Sequence, residues 1–134
     1  MPTLIERATQ SLHDVHALIQ TVFSQTSDES LQASAELMPV FAEQFSMVGI
    51  TDRLIDRAQV EQLFRSPRGA KSGLLIHISQ ITGVWQAGNR VALRYQETHR
   101  LNNEESTRFS VAMLECTDDG NVLWHYLHET AVRI

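Results

Sequence analysis

Near residue 74 the spacing of apolar side chains changes from every third or fourth position to every second one, and that switch constrains the fold more than any other feature of the chain. Before it, Leu12, Val15, Ile19, Val22 and Phe23 share one stripe, which predicts an amphipathic helix over about residues 8–25. TSDE fits a capping box, with Thr26 as cap and Glu29 reaching back, and Leu31, Ala35 and Met38 carry a second short helix toward Pro39. FSMVGI is β-like. A third helix follows, capped by Asp56, with Val60, Leu63 and Phe64 inward, and SPRGAKSG ends it. After the switch, LLIHISQITGVWQ, NRVALRYQETHRL, TRFSVAMLEC and NVLWHYLHETAVR alternate as four strands at hairpin spacing. Helices first and an antiparallel meander second is the α+β pattern. No linker or repeat divides it, so residues 1–134 are expected to form one domain.

Composition narrows the function classes. A net charge of −5 with scattered basic residues argues against nucleic acid as a partner. No apolar run approaches the roughly 18 residues of a membrane span, and MPTLIERATQ lacks the pattern of a secretion signal, so a cytoplasmic protein with no membrane partner is expected. Cys116 is the only cysteine and reads as a small buried filler. HETAV begins like a zinc motif but has Val132 where the second histidine belongs, and it lies in a strand. His125 and His128 point to opposite faces of that strand, and His13 and His16 read as a solvated helix face. GAKSG lacks the earlier glycine of a phosphate loop. No metal and no cofactor is therefore expected.

Turn chemistry sets a register. Gly88-Asn89 and Asp119-Gly120 suit two-residue hairpins, while LNNEES reads as a longer loop. Pairing Asp118 with Asn121 puts Met113 beside Tyr126 and Ala112 beside Leu127; pairing Leu101 with Thr107 puts Arg94 near Leu114 and Gln96 near Ala112. One face then holds Tyr95, Glu97, His99, Phe109, Val111, Met113, Trp124, Tyr126 and His128. The other holds Arg94, Gln96, Thr98, Ser110, Ala112, Leu114, His125, Leu127 and Glu129. Three helices can cover only one of them. The first face is aromatic and Met-rich like an interface core, yet it is also the more apolar; if it is the covered one, Tyr95, Glu97, Tyr126 and His128 line the pocket instead.

The order of elements and the closing segment DDGNVLWHYLHET, with its Asp-Gly turn, Trp124 and His128-Glu129-Thr130, resemble the nuclear transport factor 2 superfamily in its SnoaL-like and ketosteroid-isomerase-like branches. The resemblance implies a cystatin-like α+β roll: N-terminal helices packed on a strongly curved antiparallel sheet, forming a cone with an internal pocket, and an outer sheet face that pairs two subunits. It places pocket residues five, seven and nine positions after Gly120, at His125, Leu127 and Glu129, and so brings Arg94, Gln96, Ser110 and Leu114 into the pocket. Tyr95, Phe109, Met113, Trp124, Tyr126 and His128 become the homodimer interface. The carboxylates of ketosteroid isomerases are missing, with Val48, Gly49 and Ala112 near those positions. Those of limonene epoxide hydrolases are replaced by Gln96 and Leu127, although Arg94 is retained. The expectation is a small, mostly apolar ligand, in its sharper form a carboxylate anchored on Arg94. Lyase- or isomerase-type chemistry with His125 as base and Glu129 as its orienting acid is the enzymatic version; the alternative is a non-catalytic dimerisation or protein-interaction module with a vestigial pocket.

Overall fold

Thr3 opens the first helix by accepting a hydrogen bond from the Glu6 amide at 3.1 Å, satisfying one of the amides that a helix start leaves without a partner. In this computed structural model, which describes residues 2–25, 28–65 and 71–132, helix α1 runs Leu4–Ser24 and buries Ala8, Leu12, Val15, His16 and Val22. Thr26 of the capping box and residues 66–70 of SPRGAKSG lie outside the described residues. Helix α2, Asp28–Leu37, is rotated from the predicted stripe: Ser30, Ala33, Ser34 and Leu37 face inward and Leu31 is exposed. The Ser30 hydroxyl, donating to the Val22 carbonyl at 2.8 Å, fixes that rotation against α1.

A 3-10 turn, Met38–Val40, leads into β1, Phe41–Val48, and then β2, Leu54–Asp56. Helix α3, Arg57–Arg65, starts on a reciprocal cap: Asp56 accepts from the Gln59 amide and Gln59 from the Asp56 amide, both at 2.9 Å. Val60 and Phe64 are buried, whereas Leu63 is exposed. The Arg57 guanidinium ties α3 to the start of β1 by donating to the carbonyls of Met38 and Phe41.

The meander follows as β3, Leu75–Ala87; β4, Arg90–Leu101; β5, Glu104–Cys116; and β6, Val122–Ala131. The six strands form one curved, unclosed sheet in the order β2-β1-β6-β5-β4-β3. All neighbours are antiparallel except β1 and β6, which run parallel with an irregular register between Phe41 and Ser46. Helix α1 lies across one face, touching β3 through β6. Its close approach to β3 needs Gly83, where a Cβ would stand 2.7 Å from the Ile5 side chain. The Gln20 side chain, accepting from the Ile76 amide at 2.7 Å, fixes the other end. Among the described residues no helix is long and apolar enough to cross a membrane.

Two features set which side chains face α1. Asn102 and Asn103 both have positive φ, 54° and 66°, and make a two-residue turn that pairs Leu101 with Glu104 instead of Thr107. That three-residue difference reverses the parity of β4 against the expectation. A bulge in the β5–β6 pair then sets Met113 opposite Tyr126 but Leu114 opposite Trp124, so His125 is the extra residue. The indole of Trp124 is consequently inside, 1% exposed, with its Nε1 donating to the Ser11 hydroxyl. The Arg94 guanidinium is outside.

Candidate functional site

Under α1 the covered face is built in layers across the strands. Val91, Leu114, Trp124 and Phe41 form the deepest layer, and Leu93, Ala112, Leu127 and Met47 the next. Above these the chemistry changes. Tyr95, Ser110 and Glu129 lie side by side on β4, β5 and β6, and Glu97 and Arg108 occupy the following row. His99 and Ser106 make the rim. There an open void of about 340 Å³ is bordered by Lys71, Leu74, His99, Ser106 and Arg108, among others.

Glu97 is the centre of this polar layer. One carboxylate oxygen meets Nε2 of His16 at 3.1 Å and the other meets Nε2 of His99. His16 also uses Nδ1 on the Leu12 carbonyl at 2.8 Å, so both ring nitrogens are engaged. Burial alone would raise the Glu97 pKa, but the hydrogen bonds and charges of the two histidines outweigh it and hold the carboxyl far below the ordinary range. For His16, burial works toward a lower pKa; the bond to Glu97 and its charge prevail, and the imidazole pKa is raised.

Glu129 is the counterpart. Burial, and then the negative charge of Glu97, push its pKa up to about 7, against the opposing pull of Arg108 and His16. Arg108 approaches one carboxylate oxygen at 3.4 Å, and a Cβ on Gly49 would stand 3.7 Å from the same oxygen. Burial raises the Tyr95 hydroxyl well above its usual value, with the charges of Glu97 and Glu129 adding to it. Among the described residues the Tyr95 hydroxyl, the Ser110 hydroxyl and Nε of Arg108 are buried without a hydrogen bond of good geometry, although Ser110 lies near enough to Tyr95 to oppose the rise of its pKa, and all three belong to this layer.

The residues singled out from the sequence divide accordingly. Ser110, Leu114, Leu127 and Glu129 are inside the cone. Arg94 and Gln96 are not: the Asn102-Asn103 turn puts them on the outer face, opposite Val111 and Phe109. His125 is turned out by the bulge and pairs with Glu115 at 2.7 Å, so it cannot act with Glu129. Tyr95 and Trp124, expected at a subunit interface, are buried under α1, while Phe109, Met113, Tyr126 and His128 do share the outer face. His16, expected on a solvated helix face, is 3% exposed. Of the alternative pocket, Tyr95 and Glu97 are inside and Tyr126 and His128 are not; the sequence did not mark His16 and Arg108 as partners of these carboxylates. Treating Asn-Asn as a two-residue turn was the available signal, because asparagine tolerates the left-handed conformation. Among the described residues no group of three or more His, Cys, Asp or Glu side chains is placed to hold a metal ion.

A larger open groove, about 800 Å³, runs between α1, the 3-10 turn and the β5–β6 turn. Its lining mixes Val15, Leu18 and Val40 with Glu6, Asp14 and Glu36, and its Arg7 donates to the carbonyls of Thr117 and Asn121. None of those three buried polar atoms belongs to it, so the cone is the better candidate.

No family model and no curated protein matches the sequence. Solved structures do. An NTF2-like protein of unknown function from Pseudomonas aeruginosa is 28% identical and superposes with a TM-score of 0.86, over 95% of this chain and 99% of that one. An NTF2-like protein from Rhodospirillum rubrum, described as of unknown function in nutrient uptake, has a TM-score of 0.72 at 10% identity, covering 93% and 98%. A Nostoc punctiforme protein of unknown function with a cystatin-like fold reaches 0.66 at 8% identity, over 92% and 90%.

Proposed function

We propose, for a chain that belongs to the nuclear transport factor 2-like superfamily, that its cone binds a small molecule at the Glu97–Glu129 layer and moves a proton on it, in an isomerase- or lyase-type reaction. One observation carries this reading: two carboxylates in one buried layer are driven to opposite protonation regimes, Glu97 held ionised by His16 and His99 while Glu129 titrates near pH 7. A carboxyl that can take or give a proton at the working pH, beside a fixed charge, is what general acid–base catalysis requires. Glu129 thus replaces His125 as the proton carrier, and Glu97 with His16 sets its environment. The void at the rim meets this layer through His99 and Arg108, and it is within the size range of small-molecule sites.

The test is deuterium incorporation from solvent into a panel of small enolisable carbonyl compounds, followed by NMR. Exchange above buffer by the wild type, lost in Glu129→Gln with the fold intact, supports the reading. No exchange by the wild type across the panel sinks the catalytic part.

The second reading is a homodimer through the outer face. Trp85, Phe109 and Met113 are 52%, 44% and 41% exposed, and Trp85 shares a row with Ala92, Met113 and Tyr126. An aromatic and Met-rich surface of this kind fits an interface core. A cytoplasmic setting accords with the single free Cys116. Sedimentation of Phe109→Glu beside the wild type tests the pairing: a dimer that becomes a monomer supports it, and a monomeric wild type removes it.

A further inference from the structure

The hydrogen bonds around Glu97 fix where the protons of its two histidines lie. Nδ1 of His16 meets the Leu12 carbonyl and its Nε2 meets a Glu97 oxygen, and with Glu97 ionised both partners can only accept. His16 therefore carries a proton on each nitrogen and is the cation beside Glu97. The second Glu97 oxygen takes Nε2 of His99, so that nitrogen is a donor as well. In its neutral form His99 then keeps its lone pair on Nδ1, and among the described residues no group hydrogen-bonds that nitrogen.

Where His99 sits gives this lone pair a use. With 14% of its side chain exposed, His99 borders the open void of about 340 Å³ at the rim. Arg108 borders the same void and contacts Glu129 behind it. Of the other charged groups around the void, Glu105 is held by Arg100, and the Lys71 ammonium lies over the Phe23 ring at 5.1 Å. A basic nitrogen and a fixed cation thus share one opening.

We propose that His99 is the base of the site: a small carbonyl compound in the rim void sets its α C–H against Nδ1 of His99 and its carbonyl oxygen toward Arg108. As the C–H bond breaks, the proton goes to Nδ1 and the electron pair moves through the α carbon onto the oxygen. The products are an enolate beside the Arg108 cation and an imidazolium beside the Glu97 anion, so each new charge forms next to a fixed opposite one. The imidazolium then returns a proton to carbon, and solvent deuterium enters by exchange at Nδ1. Glu97 is the positioning residue, holding the tautomer that leaves Nδ1 free. The proposal rests on the reading of the cone as an acid–base site and names the group that touches the ligand, which Glu129 meets by way of Arg108.

Solvent-deuterium exchange into ketones graded from acetone to acetophenone, followed by NMR, tests the assignment. The wild type is expected to exchange at least one of them. His99→Gln keeps an N–H for Glu97 but has no basic nitrogen, and should lose about 100-fold in rate. Imidazole added to His99→Ala should restore part of the lost rate, which a histidine with a merely structural role would not allow. A nitrogen–proton correlation spectrum at about pH 8 reads the premise without turnover, and His99 should carry its proton on Nε2. Exchange that survives in His99→Gln, or a His99 protonated on Nδ1, overturns the assignment and leaves the Glu129 reading in place. A wild type that exchanges none of the ketones overturns both.

Discussion

The two ends of the cone are made from the same strands and covered by the same helix, yet they obey different rules. At the deep end Val91, Leu93, Leu114 and Trp124 are each within 1% of full burial, and the one indole nitrogen finds Ser11. Toward the rim, burial is nearly as complete, but what is buried is Glu97, Glu129, His16, Tyr95 and Ser110. The deep end lowers the free energy of the fold; the polar layer raises it wherever a charge or donor is incompletely paired. A protein that needed only a core would fill both ends alike. Residues retained at a cost to stability are those expected at a working site.

The sharpest way to break this contrast is to truncate the deep end. Trp124→Ala removes a buried aromatic that contacts His16 and Phe41, and should cost about 3–5 kcal/mol in urea unfolding. A loss below 1 kcal/mol would mean that the deep layer is not the stabilising half. His16→Ala acts on the boundary between the halves. It leaves one Glu97 oxygen without its partner while His99 still holds the other, so the expected loss is smaller, about 2–3 kcal/mol at pH 6.

The pH dependence separates the halves without truncating either. His16, with a raised pKa, contributes stability that is full below its ordinary value of 6.5 and is lost as pH rises through the folded value. Glu129 shifts the same way for a different reason: it costs nothing below 4.5, where it is protonated folded or unfolded, and the cost grows to its full size as pH passes about 7. Glu97 is opposite, its contribution being present above 4.5 and lost in acid. Stability should therefore be greatest near pH 4.5 and decline toward pH 8, first as Glu129 ionises and above 6.5 as His16 also loses its proton. Glu129→Gln should remove most of that decline, gaining up to about 3 kcal/mol at pH 8 and nothing at pH 4. An unchanged profile in the variant would show that Glu129 titrates at its ordinary value.

How far the sequence carried the fold follows from what each feature depends on. The helix stripes, the Asp56 cap and the strands after residue 74 are local periodicities, and they appear as read apart from boundary shifts of up to four residues, the rotation of α2 and the exposure of Leu63. The β5–β6 register expected from the Asp119-Gly120 turn holds from Met113 to Ser110, and fails between the turn and the bulge, where Leu114 meets Trp124 instead of His125. The site was not, because a face assignment is a parity, and each misjudged turn or bulge reverses it. Asn102-Asn103 reversed β4 and removed Arg94 and Gln96 from the cone; the extra residue at His125 exchanged that side chain with Trp124. Glu129 stayed in place because its pairing with Ser110 lies beyond the bulge. The link between His16 and Glu97, 81 positions apart, had no local signature, since it exists only once α1 is laid on the sheet.

Tyr95→Phe is the smallest change and the most discriminating. It keeps the ring against His16, at 5.4 Å between centroids, and removes only a hydroxyl that has no hydrogen bond of good geometry among the described residues. In a core selected for stability, deleting a buried tyrosine hydroxyl costs about 1 kcal/mol, because a hydrogen bond is lost with it. Here only the imperfect approach of Ser110 is lost and a desolvation penalty disappears, so the variant should be neutral or more stable by up to about 1 kcal/mol without ligand. Thermal unfolding of the two proteins side by side measures the sign. A stabilised variant that handles ligand less well would show the polar layer trading stability for recognition. A clear destabilisation would mean that the hydroxyl is already satisfied in solution, and the distinction between the two ends of the cone would shrink to one of composition.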